Sequence, residues 1–210
     1  MSTTEAARRN LVAIAFRLEW STIAWMLVEF GVALYAGIAA HSLALIAFSL
    51  DSLIEIGHAG VLMWRLRTEL KLGSEFPEAV ERRAARIGGW ILAVLAAYIV
   101  IGAVWELWHR QGAEFSVPGL VVTAIAIPMM YWLSRAKYRL ADGLGSRALR
   151  GDAAESASCL YLSVTIVVAL IAQVLFGAWW IDGVASLFIA YFVAREAREG
   201  FEDDDCGETC

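Results

Sequence analysis

The chain has 210 residues, of which 60% are hydrophobic and only 19% charged, with a formal net charge of -5 and a mean hydropathy of +0.61. Soluble domains carry about 25% charged residues, so this composition argues against a soluble core and for an all-α integral membrane protein whose main partner is the lipid bilayer. The negative balance, with no basic stripe interleaved with aromatics, argues against nucleic acid, and three cysteines are too few for a disulfide framework.

The first ten residues are polar and lack the basic region, short apolar run and small-residue cleavage site of a signal peptide. They read as a cytoplasmic segment, residues 1–10, ahead of a six-helix transport domain over 11–200. Each of six apolar segments suits a bilayer span of about 20 residues. Span one runs from Leu11 or Leu18 to Ala40 and carries Glu19 and Glu29. Span two runs from His41 to Trp64. A charged loop, Arg65 to Arg86, contains Pro77. Span three is Ile87 to Trp108, and His109 to Ser116 leads to span four, Val117 to Leu133. A basic loop, Ser134 to Gly151, precedes span five, Asp152 to Phe176. Span six starts at Ile181 and fades into Arg195 to Gly200. It is the shortest, and Trp179, Trp180, Arg195 and Arg198 at its ends would help it reach across. An acidic tail with Cys206 and Cys210 occupies 201–210.

Of the 17 Lys and Arg residues, all but Arg110 fall at the N-terminus, in the loops after spans two and four, or after span six. The positive-inside rule therefore places both termini in the cytoplasm. The connections between spans one and two and between spans five and six are short enough for tight hairpins.

Two stretches carry the chemistry, Ser49-Leu50-Asp51-Ser52-Leu53-Ile54-Glu55-Ile56-Gly57-His58 and Gly151-Asp152-Ala153-Ala154-Glu155-Ser156-Ala157-Ser158-Cys159. Asp51 and Glu55 are one helical turn apart, and so are Glu155 and Cys159. An acid within a membrane helix costs about 2.5–3.5 kcal/mol on the insertion scale, so it normally faces a partner or an ion. In antiparallel contact Asp51 lies level with Cys159, Glu55 with Glu155, and His58 with Asp152. The four side chains Asp51, Glu55, Glu155 and Cys159 suffice for a tetrahedral site, and carboxylates with one thiolate suit zinc or cadmium better than magnesium or calcium. Clustered carboxylates hold protons when no metal is present, and a divalent ion displaces them, which is the basis of metal–proton exchange. His58 is placed to relay protons or metal. Gly57, Ala59 and Gly60 on one helix, with Ala153 and Ala154 on the other, permit close helix approach.

The stretch His41-Ser42-Leu43-Ala44-Leu45-Ile46-Ala47-Phe48-Ser49-Leu50-Asp51-Ser52-Leu53-Ile54-Glu55 resembles the second helix of the cation diffusion facilitator family of zinc transporters. Residues 152–199, with Trp179-Trp180-Ile181-Asp182-Gly183, resemble that family's fifth and sixth helices. The family pattern of Asp-x-x-x-Asp on helix two and His-x-x-x-Asp on helix five implies that Asp51 matches the first Asp, while Glu55, Glu155 and Cys159 replace the other three ligands. Every replacement can bind metal. The resemblance implies export of zinc, and of cadmium, from the cytoplasm in exchange for protons. It also implies a minimal member without the usual cytoplasmic C-terminal domain, whose homodimer is held by membrane helices. The compact, unsignalled design points to a bacterial inner membrane.

Other residues carry secondary expectations. Glu29 faces the bundle as a support for the site or as a proton path. Asp152 is a helix N-terminal residue with a role in metal access, Asp182 is an N-cap for span six, and Glu19 is interfacial. His41 and His109 lie in outer loops. The rival readings are a transporter of iron, cobalt or manganese, a non-transporting metal sensor or scaffold, and a membrane thiol enzyme using Cys159 or the Cys206/Cys210 pair. The absence of a CxxC pair counts against the last.

Overall fold

The computed structural model describes the backbone of residues 3–72 and 78–205 and the side chains of residues 9–68, 86–146 and 148–198. Among the described residues the chain is all-helical, in the order α1 (Thr3–Ala40), α2 (Leu43–Leu72), α3 (Glu78–His109), α4 (Val117–Leu144), α5 (Arg147–Phe176) and α6 (Ile181–Asp205). Five stretches, Arg9–Ala40, Leu43–Thr68, Arg86–His109, Val117–Leu144 and Ala148–Phe176, are long and apolar enough to cross a membrane. The sixth helix falls short by that measure, because Asp182 and the charges from Arg195 onward dilute its apolar stretch.

The outer faces confirm the solvent. Val94, Ile101, Trp108, Val168, Leu175 and Phe176 are exposed on the bundle surface, where only lipid makes such a belt stable. Inside, one stripe of α1 buries Val12, Ala15, Glu19, Thr22, Met26, Glu29, Ala33, Ala36 and Ala40, with Leu18 and Gly37 buried beside it. The stripe's spacing alternates strictly between three and four residues, the period of a helix–helix seam. Two acids therefore lie in the same buried stripe as the alanines and Met26.

The closest pairings are α1 with α2, α4 with α5, and α3 with α6; α2 also meets α3, α5 and α6, and α1 meets α4. Helices α1, α2, α4 and α5 thus form one group, with the α3–α6 pair set against α2 and α5. The short α5–α6 connection does not make these two helices each other's main neighbours. Close approach comes from glycines other than those expected. A Cβ on Gly37 would press on the first turn of α2 at Ile46, whereas Gly57 and Gly60 face nothing within 4 Å.

Two expected loops are largely helix. The region 134–151 continues α4 to Leu144 and opens α5 at Arg147. The buried stripe Met130, Leu133, Lys137, Leu140 keeps helical period through the charged residues, so charge here marks the faces of a helix and not a break. The stop is Gly145, whose left-handed φ of 62° ends α4 with its N–H on Ala141 O, and Ser146 caps α5 by accepting from Leu149 N at 3.3 Å. Likewise α2 and α3 extend into the expected loop 65–86 from both sides, and Pro77 lies outside the described residues.

Asp182 caps a different helix from the one expected. Its carboxylate accepts from Ser42 Oγ at 2.6 Å and from Ala44 N at 3.3 Å. Ser42 Oγ itself accepts from Leu45 N at 3.2 Å. The acid therefore covers the open N–H groups of α2 and ties α6 to its start.

Candidate metal centre

Asp51 and Glu55 sit one turn apart on α2 and are buried, at 1% and 6% exposure. Both Asp51 carboxylate oxygens and Glu55 Oε1 have no hydrogen-bond partner. Buried polar atoms are nearly always paired, so three unpaired acid oxygens in adjacent turns are costly unless a proton or cation answers them.

Cys159 of α5 is fully buried, and its Sγ is 3.6 Å from Glu29 Oε1, to which it donates. Glu29 of α1 is held from two further directions: Oε1 accepts from Ser52 Oγ at 2.7 Å and Oε2 from Trp25 Nε1 at 2.8 Å. Three helices therefore meet through one carboxylate. Glu155 is partly exposed, and its Oε1 lies 2.8 Å from His58 Nδ1 of α2. His58 Nε2 has no partner, and the ring rests against Gly88 of α3, where a Cβ would overlap it. Asp51 and Glu55 each lie within electrostatic reach of Glu29, Glu155 and Cys159, and Glu55 also within reach of Glu196 of α6.

The four expected ligands thus sit on facing helices in one charged interior, but not as a finished cage. Among the described residues no three His, Cys, Asp or Glu side chains gather closely enough to hold a metal. Glu155 leans to His58, and Cys159 to Glu29. The pairing also differs from the expected levels: His58 meets Glu155 rather than Asp152. Both side chains are long enough to bridge a turn, and Asp152 has a stronger partner elsewhere.

That partner is Lys137 of α4, which falls within the expected loop. Lys137 Nζ lies 2.6 Å from Asp152 Oδ2 and 3.3 Å from Glu19 Oε2, with all three residues buried. Glu19 is therefore interior and not interfacial, and Asp152 lies in the second turn of α5, not at its start. The signal was available. Lys137 continues the stripe 126, 130, 133 on α4, and Glu19 lies in the three–four stripe of α1 that contains Glu29. Cys206 and Cys210 lie outside the described residues.

One substitution tests the support around His58. Gly88→Ala places a methyl against the imidazole and is expected to push His58 off Glu155. Overpacking of this kind costs about 1–3 kcal/mol. A lower melting temperature together with weaker metal binding is the expected result; unchanged values for both would show that the His58–Glu155 contact carries neither.

The sequence profile of the cation efflux transmembrane domain matches residues 20–203, a range that holds every proposed ligand together with Glu29, His58, Lys137 and Asp152. No curated protein matches the chain in direct sequence comparison. With six helices among the described residues, five of them apolar enough to span a bilayer, and a domain match over most of its length, the chain belongs to the cation diffusion facilitator family of multi-pass membrane transporters of divalent metal cations.

Proposed function

We propose that this protein exports zinc, and also cadmium, from the cytoplasm in exchange for protons, at a site between α2 and α5 formed by Asp51, Glu55, Glu155 and Cys159. The observation that carries the reading is the set of unpartnered acid oxygens on Asp51 and Glu55, buried within reach of Glu155 and of the Cys159 thiol. A divalent ion satisfies them in one state of the cycle and protons in the other. Metal arrival draws Glu155 from His58 and the thiol from Glu29, and the released protons leave through these two partners. His58 and Glu29 are thereby assigned the relay, and the two-helix site opens to each side by rocking of the helix groups.

Both termini face the cytoplasm on the positive-inside count, in a bacterial inner membrane, and the working unit is a homodimer joined by membrane helices. Reconstitution tests the reading. Vesicles holding a zinc indicator and a pH dye are expected to report metal movement coupled to opposite proton movement. Tight metal binding with no flux would instead favour a sensor or scaffold.

The thiolate sets the choice of metal. Cys159→Asp exchanges a soft ligand for a hard one and is expected to lower the cadmium-to-zinc transport ratio by about tenfold or more, a scale familiar from altered metal surroundings. Competition between the two ions in proteoliposomes measures it. An unchanged ratio would remove Cys159 from the ligand set.

A further inference from the structure

Asp182 ties α6 to the first turn of α2 at the end of the bundle opposite the basic segments, and this tie takes no part in the metal site. We propose that Asp182 is the outer latch of the transport cycle. While its carboxylate holds Ser42 Oγ at 2.6 Å and Ala44 N at 3.3 Å, the seam between α2 and α5 is closed to the outside. Release of these bonds opens it. The inference rests on the transport reading and adds an outer gate to it.

Position is the first ground. Ala44 and Asp51 lie seven residues apart on α2, and Cys159 and Ile166 seven apart on α5. Each pair therefore shares a helix face over about 10 Å. Followed outward, both faces lead from the metal site into a crevice lined by Ser42, Ala44, Ile166, Leu170, Gln173 and Asp182. Phe48, Leu162 and Ile166 belong to one buried core and fill the turns between. The crevice itself is too narrow to hold water. An ion leaving Asp51 and Cys159 on this side meets packed side chains first and then the latch.

Unequal access is the second ground. On the cytoplasmic side of the site the Glu155 and His58 side chains are partly exposed, whereas Ser42 and Asp182 on the outer side are buried. The site is thus approached from inside and shut outside. Exchange needs the reverse arrangement in the other half of the cycle, so a contact at the outer end has to part.

The third ground is what the latch joins. Asp182 stands on the α3–α6 pair, and Ser42 and Ala44 stand on the group of α1, α2, α4 and α5. The two bonds cross the boundary at which the helix groups rock. Ser186, one turn inward of Asp182 on α6, is fully buried and its hydroxyl has no partner. The closed seam leaves that hydroxyl unpaired, and water entering past an open latch satisfies it. The closed state holds the bonds of Asp182 and the open state gains one at Ser186, which keeps the two states within reach of each other.

Cys159, at the inner end of the seam, reports which side is open. Right-side-out and inside-out membrane vesicles, freed of metal by a chelator, are treated with trimethylammonium-ethyl methanethiosulfonate, a charged thiol reagent that does not cross the bilayer. Peptide mass spectrometry follows Cys159 apart from Cys206 and Cys210, the other two cysteines of the chain. A hydrogen bond to a charged group weighs about tenfold or more in an equilibrium, so Asp182→Ala is expected to raise Cys159 labelling from the outside by about tenfold. Labelling from the cytoplasmic side is expected not to rise. Ser42→Ala removes the shorter of the two bonds and is expected to give a smaller rise with the same sidedness; it decides the matter if Asp182→Ala does not fold. Labelling raised from both sides would show a merely structural tie and overturn the latch, as would outside labelling at the wild-type level. Zinc flux through wild-type vesicles separates the two readings. Flux with unchanged sidedness in the variants overturns the latch and leaves transport intact; absence of any flux overturns both.

Discussion

Asp51→Asn is expected to abolish metal transport while the protein stays folded. The side chain is buried and neither oxygen has a partner, so no packing or hydrogen bond seen here depends on its charge. Asparagine keeps the shape and removes the anion, which is what a metal ligand and proton acceptor cannot lose. Changing a group that only supports a metal ligand lowers affinity by about 10–100-fold, and loss of a ligand is expected to exceed the upper end of that range. Stability moves the other way. Relief of a buried unpaired acid leaves the melting temperature equal to the wild type or above it. Zinc flux and a thermal melt on the same preparation separate the roles. Loss of flux with an undiminished melt marks a transport residue; a melt that falls with flux marks a structural one; full flux removes Asp51 from the site.

The second large effect is on folding. Lys137→Met alone is expected to destabilise the protein by about 3–5 kcal/mol, the usual result of stripping one partner from a buried ionic cluster. It leaves Glu19 and Asp152 facing each other without a cation. The neutral combination of Glu19→Gln, Lys137→Met and Asp152→Asn is expected to recover most of that loss, because it leaves no uncompensated buried charge and its two amides can hydrogen-bond each other. Equal melts for wild type and Lys137→Met would show that the three charges contribute little to the fold.

Much of this architecture can be read before any coordinates. The apolar runs announce the helices, and the buried stripe of α1 follows directly from residues three and four apart. What misleads is charge. Arg135, Lys137, Arg139 and Asp142 suggest a loop by composition, although the helix simply continues with Lys137 on its inner side and Arg135, Arg139 and Asp142 off it. A single lysine in the place of a core leucine becomes visible only when helical period is followed through the polar residues. Asp182 misleads for a related reason. An acid at the start of a helix suggests a cap for that helix, and only the folded chain brings the N-terminus of α2 against it. The facing of α2 and α5 is deducible from topology. Which acid takes His58 is not, because that depends on side-chain length and on a lysine from a third helix.

Asp51, Glu55, Glu155 and Cys159 are expected to close on one divalent ion. Anomalous scattering from crystals of the protein soaked in zinc, and separately in cadmium, tests this most directly. The expected result is a strong peak between α2 and α5, with carboxylate oxygens at about 2.0–2.2 Å and the Cys159 sulfur at about 2.3 Å from zinc. Glu155 would then have left His58. A strong peak elsewhere in the bundle, with Asp51 and Glu55 turned from Glu155 and Cys159, would contradict it.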